Sequence, residues 1–335
     1  MTPNNSLLTD DFGRKHNYLR ISLIEKCNLR CTYCMPADGI PLSPKADIMS
    51  ADEIFEIAKT FVDYGVDKIR LTGGEPLLRK DFPAIIKQLS SLETEISITT
   101  NGILIDRHLA VLKECKVFKI NLSLDTLVAT KFNAITLRNQ FSIVMDNLAL
   151  LLEHNFKVKI NVVLIKGFNE DEIIDFIALT KEMPISIRFI EFMPFAGNEW
   201  DSSKMVTQQE ILSQVEAHYT PEHVDKLIDE ANFTAREYKI KDHKGSFGII
   251  SSISNPFCDG CNRIRLTANG KIKNCLFSNS ETDLLTPFRN NQPIEDAISA
   301  AIKSKKKVRA GMTTTAEIND PTLNQDNRSM ISIGG

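Results

Sequence analysis

Six short apolar runs, separated by longer stretches of helical periodicity, limit what this chain can fold into more than any other feature. The runs cover residues 18–24, 68–72, 95–100, 118–124, 157–165 and 186–192. Between them, residues 51–64, 82–92, 107–114, 141–154 and 170–180 carry apolar side chains at helical spacing. Ser50 followed three residues later by Glu53 forms a capping box that starts the first of these helices. Strands alternating with helices imply βαβ units and a parallel sheet. Six units rather than eight predict an α/β fold of the incomplete (β/α)6 TIM-like barrel type. Such folds place their chemistry on the loops that leave the strand C-terminal ends, and the polar residues of this chain gather there. The first strand runs into a cysteine-rich loop, the second into Thr72-Gly73-Gly74-Glu75-Pro76, the third into Thr99-Thr100-Asn101-Gly102 and the fourth into Ser123-Leu124-Asp125. The fifth carries Lys159 and Asn161, and the sixth leads to Glu191-Phe192-Met193-Pro194.

The cysteine loop has the spacing C-x3-C-x2-C, as Cys27, Cys31 and Cys34. Cysteine thiolates hold iron-sulfur clusters, and three of them on a four-iron cubane leave one iron open to a small molecule. Structural zinc is the alternative, but it takes four ligands and no fourth Cys or His lies close by. A second group, Cys258-x2-Cys261-x13-Cys275, also has three thiols. Asn269-Gly270 reads as a hairpin turn that folds Cys275 back toward the other two; a zinc ribbon completed by His243 or His223 is the competing reading. Cys115, the seventh cysteine, reads as a packing residue. In the glycine motif, Gly73 and Gly74 allow close backbone approach to a ligand, and Glu75 offers a carboxylate to an amino group. No phosphate-binding glycine loop of either common nucleotide-binding pattern is present, so a phosphate ligand would have to be held by side chains. Arginine suits that task because its fork matches phosphate, and Arg20, Arg70, Arg263 and Arg265 stand in or beside predicted strands.

Composition bounds the partners. The 335-residue chain is 42% hydrophobic and 25% charged, with a net charge of −3. That balance gives no support for nucleic-acid binding by bulk charge, and no apolar run is long enough to span a membrane. An odd number of cysteines and no secretory pattern suggest reduced thiols, so the expected compartment is the cytoplasm. The basic run of residues 303–309 reads as a solvated helix end, and residues 313–335 as a polar, mobile tail. Two regions are expected: a barrel core at 1–200, and a region at 201–335 that completes its mouth.

These motifs resemble the radical S-adenosylmethionine superfamily and, within it, the GTP 3′,8-cyclase family of molybdenum cofactor biosynthesis. The resemblance rests on Gly13-Arg14, Tyr18-Leu19-Arg20-Ile21-Ser22, the loop from Cys27 to Pro36, Arg70 to Leu77, Asn121 to Asp125, Cys258 to Thr267, and Cys275-Leu276-Phe277. It extends to the terminal Gly334-Gly335. It implies a 4Fe-4S cluster on Cys27, Cys31 and Cys34, with S-adenosylmethionine on the open iron and contacted by Tyr33, Gly74, Ser123 and Met193. It implies a second 4Fe-4S cluster on Cys258, Cys261 and Cys275 facing the guanine of GTP. Arg20, Arg70, Thr99, Lys159, Arg263, Ile264 and Arg265 would bind the GTP. Arg263, Arg265, Gly334 and Gly335 would serve catalysis with the first three cysteines, the tail entering the active site. The implied reaction, a lyase-type cyclisation, uses a 5′-deoxyadenosyl radical to take the ribose 3′ hydrogen, after which the ribose carbon closes on C8 of guanine. The implied partners are an electron donor, the downstream cyclic pyranopterin monophosphate synthase, and a second copy in a homodimer. A peptide-modifying radical enzyme and a zinc-stabilised binding protein are the rival readings.

Overall fold

β-Branched and other apolar residues at every second position turn the six runs into strands. In a computed structural model, which describes residues 7–35, 39–198, 200–229, 232–324 and 327–334, these are β1 (Tyr18–Ser22), β2 (Lys68–Thr72), β3 (Glu95–Thr100), β4 (Lys119–Ser123), β5 (Lys157–Leu164) and β6 (Ser186–Glu191). They pair in parallel in chain order. The helices between them are α1 (Ala51–Asp63), α2 (Phe82–Ser90), α3 (Ile105–Glu114), α4 (Ala129–Thr136), α5 (Phe141–Glu153) and α6 (Ile173–Glu182). The Ser50–Glu53 capping box is formed in full.

The alternation sorts the two faces of the sheet. Leu19, Ile21, Ile69, Leu71, Ile98, Ile160 and Phe189 are fully buried, and they form one core with the inward stripes of the helices, such as Ile54, Ile57 and Phe61 of α1. Truncating a residue like Phe61 to alanine costs about 3–5 kcal/mol, through lost transfer energy and the cavity left behind. Intervening positions point to the concave face, and there the sequence is polar: Arg20, Lys68, Arg70, Thr99, Lys159, Asn161 and Arg188 line a cavity.

Two regions are more ordered than the sequence suggests. Residues 126–138 hold a helix, α4, that the helical spacing does not mark. Its eight residues, without a side-chain N-cap and ended by Leu137 at a left-handed φ of 54°, give little periodic signal. The tail is not loose. Helices α10 (Thr315–Asn319), α11 (Pro321–Asn324) and α12 (Met330–Ile333) cover it, and Ile331, Ser332 and Ile333 are buried.

The remaining elements are α7 (Gln208–Tyr219), β7 (Val224–Lys226), β8 (Arg236–Ile240), β9 (Ser246–Ile250), β10 (Arg263–Leu266), β11 (Lys271–Lys273), β12 (Thr282–Asp283), α8 (Leu285–Arg289) and α9 (Glu295–Lys303). They extend both edges of the sheet. Strand β9 adds parallel to β6, and β10 adds parallel to β1. The strand order β12-β11-β10-β1-β2-β3-β4-β5-β6-β9-β8-β7 is that of an open sheet, a barrel that does not close. The Asn269-Gly270 turn joins β10 to β11 as expected. Gly270 sits at φ 69°, where a Cβ would lie 2.5 Å from the Leu285 Cβ. Cys115 is half-buried and packs against the core.

Candidate active site

The first cysteine group is shaped by backbone bonds from its neighbours. Arg30 and Thr32 donate their amides to the carbonyls of Thr136 and Ile135, so the end of α4 holds the loop. The Cys34 and Met35 amides close a turn on the Cys31 carbonyl. Asn101 donates from Nδ2 to Asn28 Oδ1 at 2.8 Å and reaches Cys27 Sγ at 3.6 Å. The glycine motif fits against this loop. A Cβ on Gly73 would lie 2.5 Å from the Ile24 carbonyl, and one on Gly74 would lie 2.4 Å from the Lys26 carbonyl. The close approach these glycines permit is therefore to the backbone of the cysteine loop. Glu75 is fully buried, and its carboxylate accepts from Leu77 N, Thr100 Oγ1 and Asn101 N. It braces the second and third βα loops through these donors.

Tyr33 donates its hydroxyl to Asp125 Oδ2 at 2.8 Å, and Asp125 Oδ1 accepts from Val163 N. Burial pushes the Asp125 carboxyl up to about 6 and that of Glu75 up to about 7. Burial likewise pushes the Cys27 thiol up to about 11 and Cys34 to about 12, with Cys31 raised well above its usual range. Neighbouring negative groups add to this: Glu75 at Cys27, and Asp125 at Cys31 and Cys34. Cluster binding must therefore displace these protons, as metal binding to thiols does in general.

The concave face carries the second group. Cys258, Cys261 and Cys275 line a cavity of about 270 Å³. Among its described lining residues are eight cations (Arg20, Lys68, Arg70, Lys159, Arg188, Arg263, Arg265 and Arg309) and one carboxylate, Glu237. Sheet register sets the pattern. Arg265, Arg20 and Arg70 stand side by side across β10, β1 and β2, with Arg263, Tyr18 and Lys68 in the row beside them. The cations of Arg20, Lys68 and Arg70 lie 5.3–5.5 Å from the Tyr18 ring centre, within cation–π range. Arg263 lies over the Phe257 ring at 4.8 Å and donates to Thr234 Oγ1 at 2.6 Å. Arg70 Nε meets Ser97 Oγ at 3.2 Å, and Arg188 pairs with Glu237 at 2.5 Å. Burial and then the neighbouring guanidinium groups pull Arg265 down to about 9; burial pulls Arg70 down to about 10, and Arg20 and Arg188 add to that pull. Among the described residues, Arg20 Nε, Arg265 Nε and Thr99 Oγ1 are buried without a hydrogen-bond partner.

The basic run behaves differently from the expected solvated helix end. Lys303, Lys306 and Lys307 are exposed, but Lys305 and Arg309 are buried. Arg309 donates to the carbonyls of Ile253, Met312 and Thr313. Lys305 Nζ lies 3.3 Å from Cys261 Sγ. The two histidines considered as zinc ligands are engaged elsewhere: His243 with Thr180 Oγ1 at 2.8 Å and His223 with Thr220 Oγ1 at 3.0 Å.

Residues 21–180 match the Radical SAM superfamily, and residues 185–310 match Molybdenum Cofactor Synthesis C. The chain is 46% identical to human molybdenum cofactor biosynthesis protein 1, over 99% of its own length and 52% of the relative's. It is 45% identical to the mitochondrial GTP 3′,8-cyclase of Arabidopsis thaliana, covering 99% of this chain and 85% of that protein. Against the GTP 3′,8-cyclase of Peptoclostridium acidaminophilum the values are 41%, 91% and 94%. The chain belongs to the GTP 3′,8-cyclase family. It spans about half the length of the mouse, bovine and human relatives it matches. In fold it is similar to Streptococcus suis SuiB bound to S-adenosylmethionine, with a TM-score of 0.58 at 17% identity, covering 96% of this chain and 71% of that one.

Membership in this cyclase family implies a 4Fe-4S cluster and S-adenosylmethionine, and the first cysteine loop fits them. Three thiols share one loop, and Asn101 and the Leu29 amide already point hydrogen-bond donors at the Cys27 sulfur. Among the described residues no three of His, Cys, Asp and Glu converge on a single metal ion; a cubane asks for wider spacing, since each thiolate takes its own iron. Of the residues expected at S-adenosylmethionine, Tyr33 in the cysteine loop is bonded to Asp125, two residues past Ser123 at the end of β4, Gly74 follows β2, and Met193 lines the cavity. Of those expected at the nucleotide, Arg20, Arg70, Thr99, Lys159, Arg263 and Arg265 meet in the cavity. Ile264 does not, because it alternates to the other face of β10 and is fully buried in the core. Gly334, at φ 82°, sits against β1 and β2, where a Cβ would meet Thr72 Oγ1 at 2.3 Å. Gly335 lies outside the described residues. Sequence reasoning missed Tyr18, Lys68, Arg188 and Lys305. The first three share the period-2 alternation of Arg20 and Arg70, a signal that was available; Lys305 had none.

Proposed function

We propose that this chain is a radical S-adenosylmethionine GTP 3′,8-cyclase that converts GTP to (8S)-3′,8-cyclo-7,8-dihydroguanosine 5′-triphosphate, the first step of molybdenum cofactor biosynthesis. One observation carries the reading: Arg265, Arg20 and Arg70 lie side by side on neighbouring strands, inside a cavity with eight cations and one carboxylate. Adjacent strands are about 4.8 Å apart, and like charges directly opposite one another destabilise a sheet. A chain of net charge −3 has no use for that repulsion unless a polyanion relieves it. The triphosphate of GTP does so, and the unpartnered Arg20 and Arg265 Nε groups are free donors for it.

Cys258, Cys261 and Cys275, which line the same cavity beside Arg263 and Arg265, suit a second 4Fe-4S cluster that receives the guanine. When bound, the first cluster and S-adenosylmethionine supply a 5′-deoxyadenosyl radical for hydrogen abstraction from the ribose. The protein's part is orientation. The arginine row would hold the phosphates and the second cysteine group the base, within a cavity that Met193 also lines. Such positioning contributes through near-attack geometry, and the buried tail at Gly334 helps keep solvent out. The region from 201 onward supplies β10, with Arg263 and Arg265, and all three cysteines of the second group. An electron donor and an enzyme consuming the cyclised nucleotide are the partners this chemistry needs. A reducing compartment, the cytoplasm, suits the thiols, although the Arabidopsis relative is named as mitochondrial. Among the described residues no helix is long and apolar enough to cross a membrane.

The test is anaerobic incubation of reconstituted protein with reductant, S-adenosylmethionine and GTP deuterated at C3′. Deuterium should appear in 5′-deoxyadenosine, with an isomer of GTP formed in equal amount. Deuterium-free 5′-deoxyadenosine and unchanged GTP would reject the reading.

A further inference from the structure

Lys305 presents a problem in electrostatics. It is 4% exposed, sits inside a run of exposed lysines, and does not line the nucleotide cavity. Burying an ammonium group is costly unless it is paired and hydrogen-bonded. Its Nζ has two acceptors, the Arg263 carbonyl at 2.9 Å and Cys261 Sγ at 3.3 Å, and its charge is opposed by Cys261 and Cys275. Among the described residues it makes no ion pair with a carboxylate. The anion that this ammonium was buried to meet is therefore sulfur.

The surrounding structure holds the ammonium in place. Arg14, also buried, donates from Nη1 to the carbonyls of Cys258 and Lys307 and from Nη2 to that of Lys306. Its Nε is anchored on Asp10 at 2.6 Å, and Asp10 also meets His16. One guanidinium thus ties the turn that follows Lys305 to the backbone of a second-group cysteine. The Gly13-Arg14 motif finds its use here, on the side of the cysteines away from the cavity.

We propose that Lys305 is a positioning residue that sets the reduction potential of a cluster held by Cys258, Cys261 and Cys275, by an N–H···S bond and a buried positive charge, with Arg14 as the clamp that aims it. The inference rests on the reading that these cysteines carry a cluster. Hydrogen bonds to cluster sulfurs and net local charge are among the levers that set such potentials. A donor cation favours the more negative, reduced cluster, so its loss makes reduction harder.

The experiment is a redox titration of the anaerobic protein, followed by electron paramagnetic resonance, with Lys305→Met and Lys305→Gln compared with the unaltered chain. The signal of the first cluster, perturbed by added S-adenosylmethionine, reports folding in every sample. In Lys305→Met the reduced-to-oxidised ratio of the second cluster at a fixed potential should fall at least tenfold, about 59 mV for one electron. In Lys305→Gln, which keeps an N–H donor without the charge, it should fall less. If either variant loses its fold, Arg14→Lys carries the test, with a shift in the same direction expected. An unshifted second cluster beside a normal first one overturns the role of Lys305. About four irons and one cluster signal in the unaltered chain would instead reject the second-cluster reading, and the proposal with it.

Discussion

The two cysteine groups differ in how they are assembled and in the field around them. Cys27, Cys31 and Cys34 lie within one loop, shaped by local turns and the end of α4. Their charged surroundings include the Glu75 and Asp125 carboxyls, and burial raises all three thiols. Cys258, Cys261 and Cys275 are brought together by the β10–β11 hairpin, against Arg263, Lys305 and Arg309. There burial would raise Cys261, yet Arg263 and Lys305 outweigh it and pull the thiol down to about 5. The first group is a local device sitting among carboxyls, suited to hold a cationic sulfonium ligand. The second belongs to a cationic chamber. Under the proposed function this contrast becomes a division of labour to be tested, in which one group would start the radical and the other would present the substrate.

That division is most open to breaking by deleting one cysteine from each group. Cys31→Ala should abolish 5′-deoxyadenosine formation, with or without GTP. Cys275→Ala should retain cleavage of S-adenosylmethionine while losing the cyclised nucleotide, both measured by chromatography with mass detection. Equal loss of cleavage in the two variants would mean that the groups do not act separately. A smaller effect is expected in the arginine row. Arg265→Ala removes a charged donor whose Nε has no partner among the described residues. It should weaken GTP binding by about 1.5–3 kcal/mol, roughly tenfold or more in Kd, and leave S-adenosylmethionine affinity unchanged. Calorimetry with each ligand separates the outcomes, and matched losses for both would place Arg265 in the scaffold instead.

The same contrast explains what was legible in the sequence. The first group could be read directly, because its spacing, its strand and its glycine motif are all local. Arg20, Arg70, Arg263 and Arg265 could be named, but their adjacency could not. It depends on β10 pairing parallel to β1 across most of the chain length, and a long-range pairing leaves no local periodicity. Ile264, expected at the nucleotide from the resemblance, has its side chain turned into the core by strand alternation. Helix α4 was too short to register. The helix-end reading of the basic run holds for the exposed Lys303, Lys306 and Lys307 but not for Lys305; only the Arg14 clamp and the nearby Cys261 sulfur distinguish it.

The smallest expected effect sharpens the second group's surroundings through pH. His16 is fully buried, and burial, then the charge of Lys305, push its ring down to about 3, against the hydrogen bond and charge of Asp10, with Arg14 adding to the shift. The folded value lies below the unfolded value of about 6.5, so the unfolded state binds the proton more readily. Stability from keeping this ring neutral is complete above about pH 6.5 and declines as pH falls toward 3. The melting temperature of the anaerobic protein should therefore drop between pH 7 and pH 5. In His16→Gln, whose side chain does not titrate, the drop should be smaller. Because Lys305 supplies part of the shift, Lys305→Met should also flatten the pH dependence, giving the buried lysine a second signature independent of any cluster. An equal decline in all three proteins would show that His16 and Lys305 do not share a field.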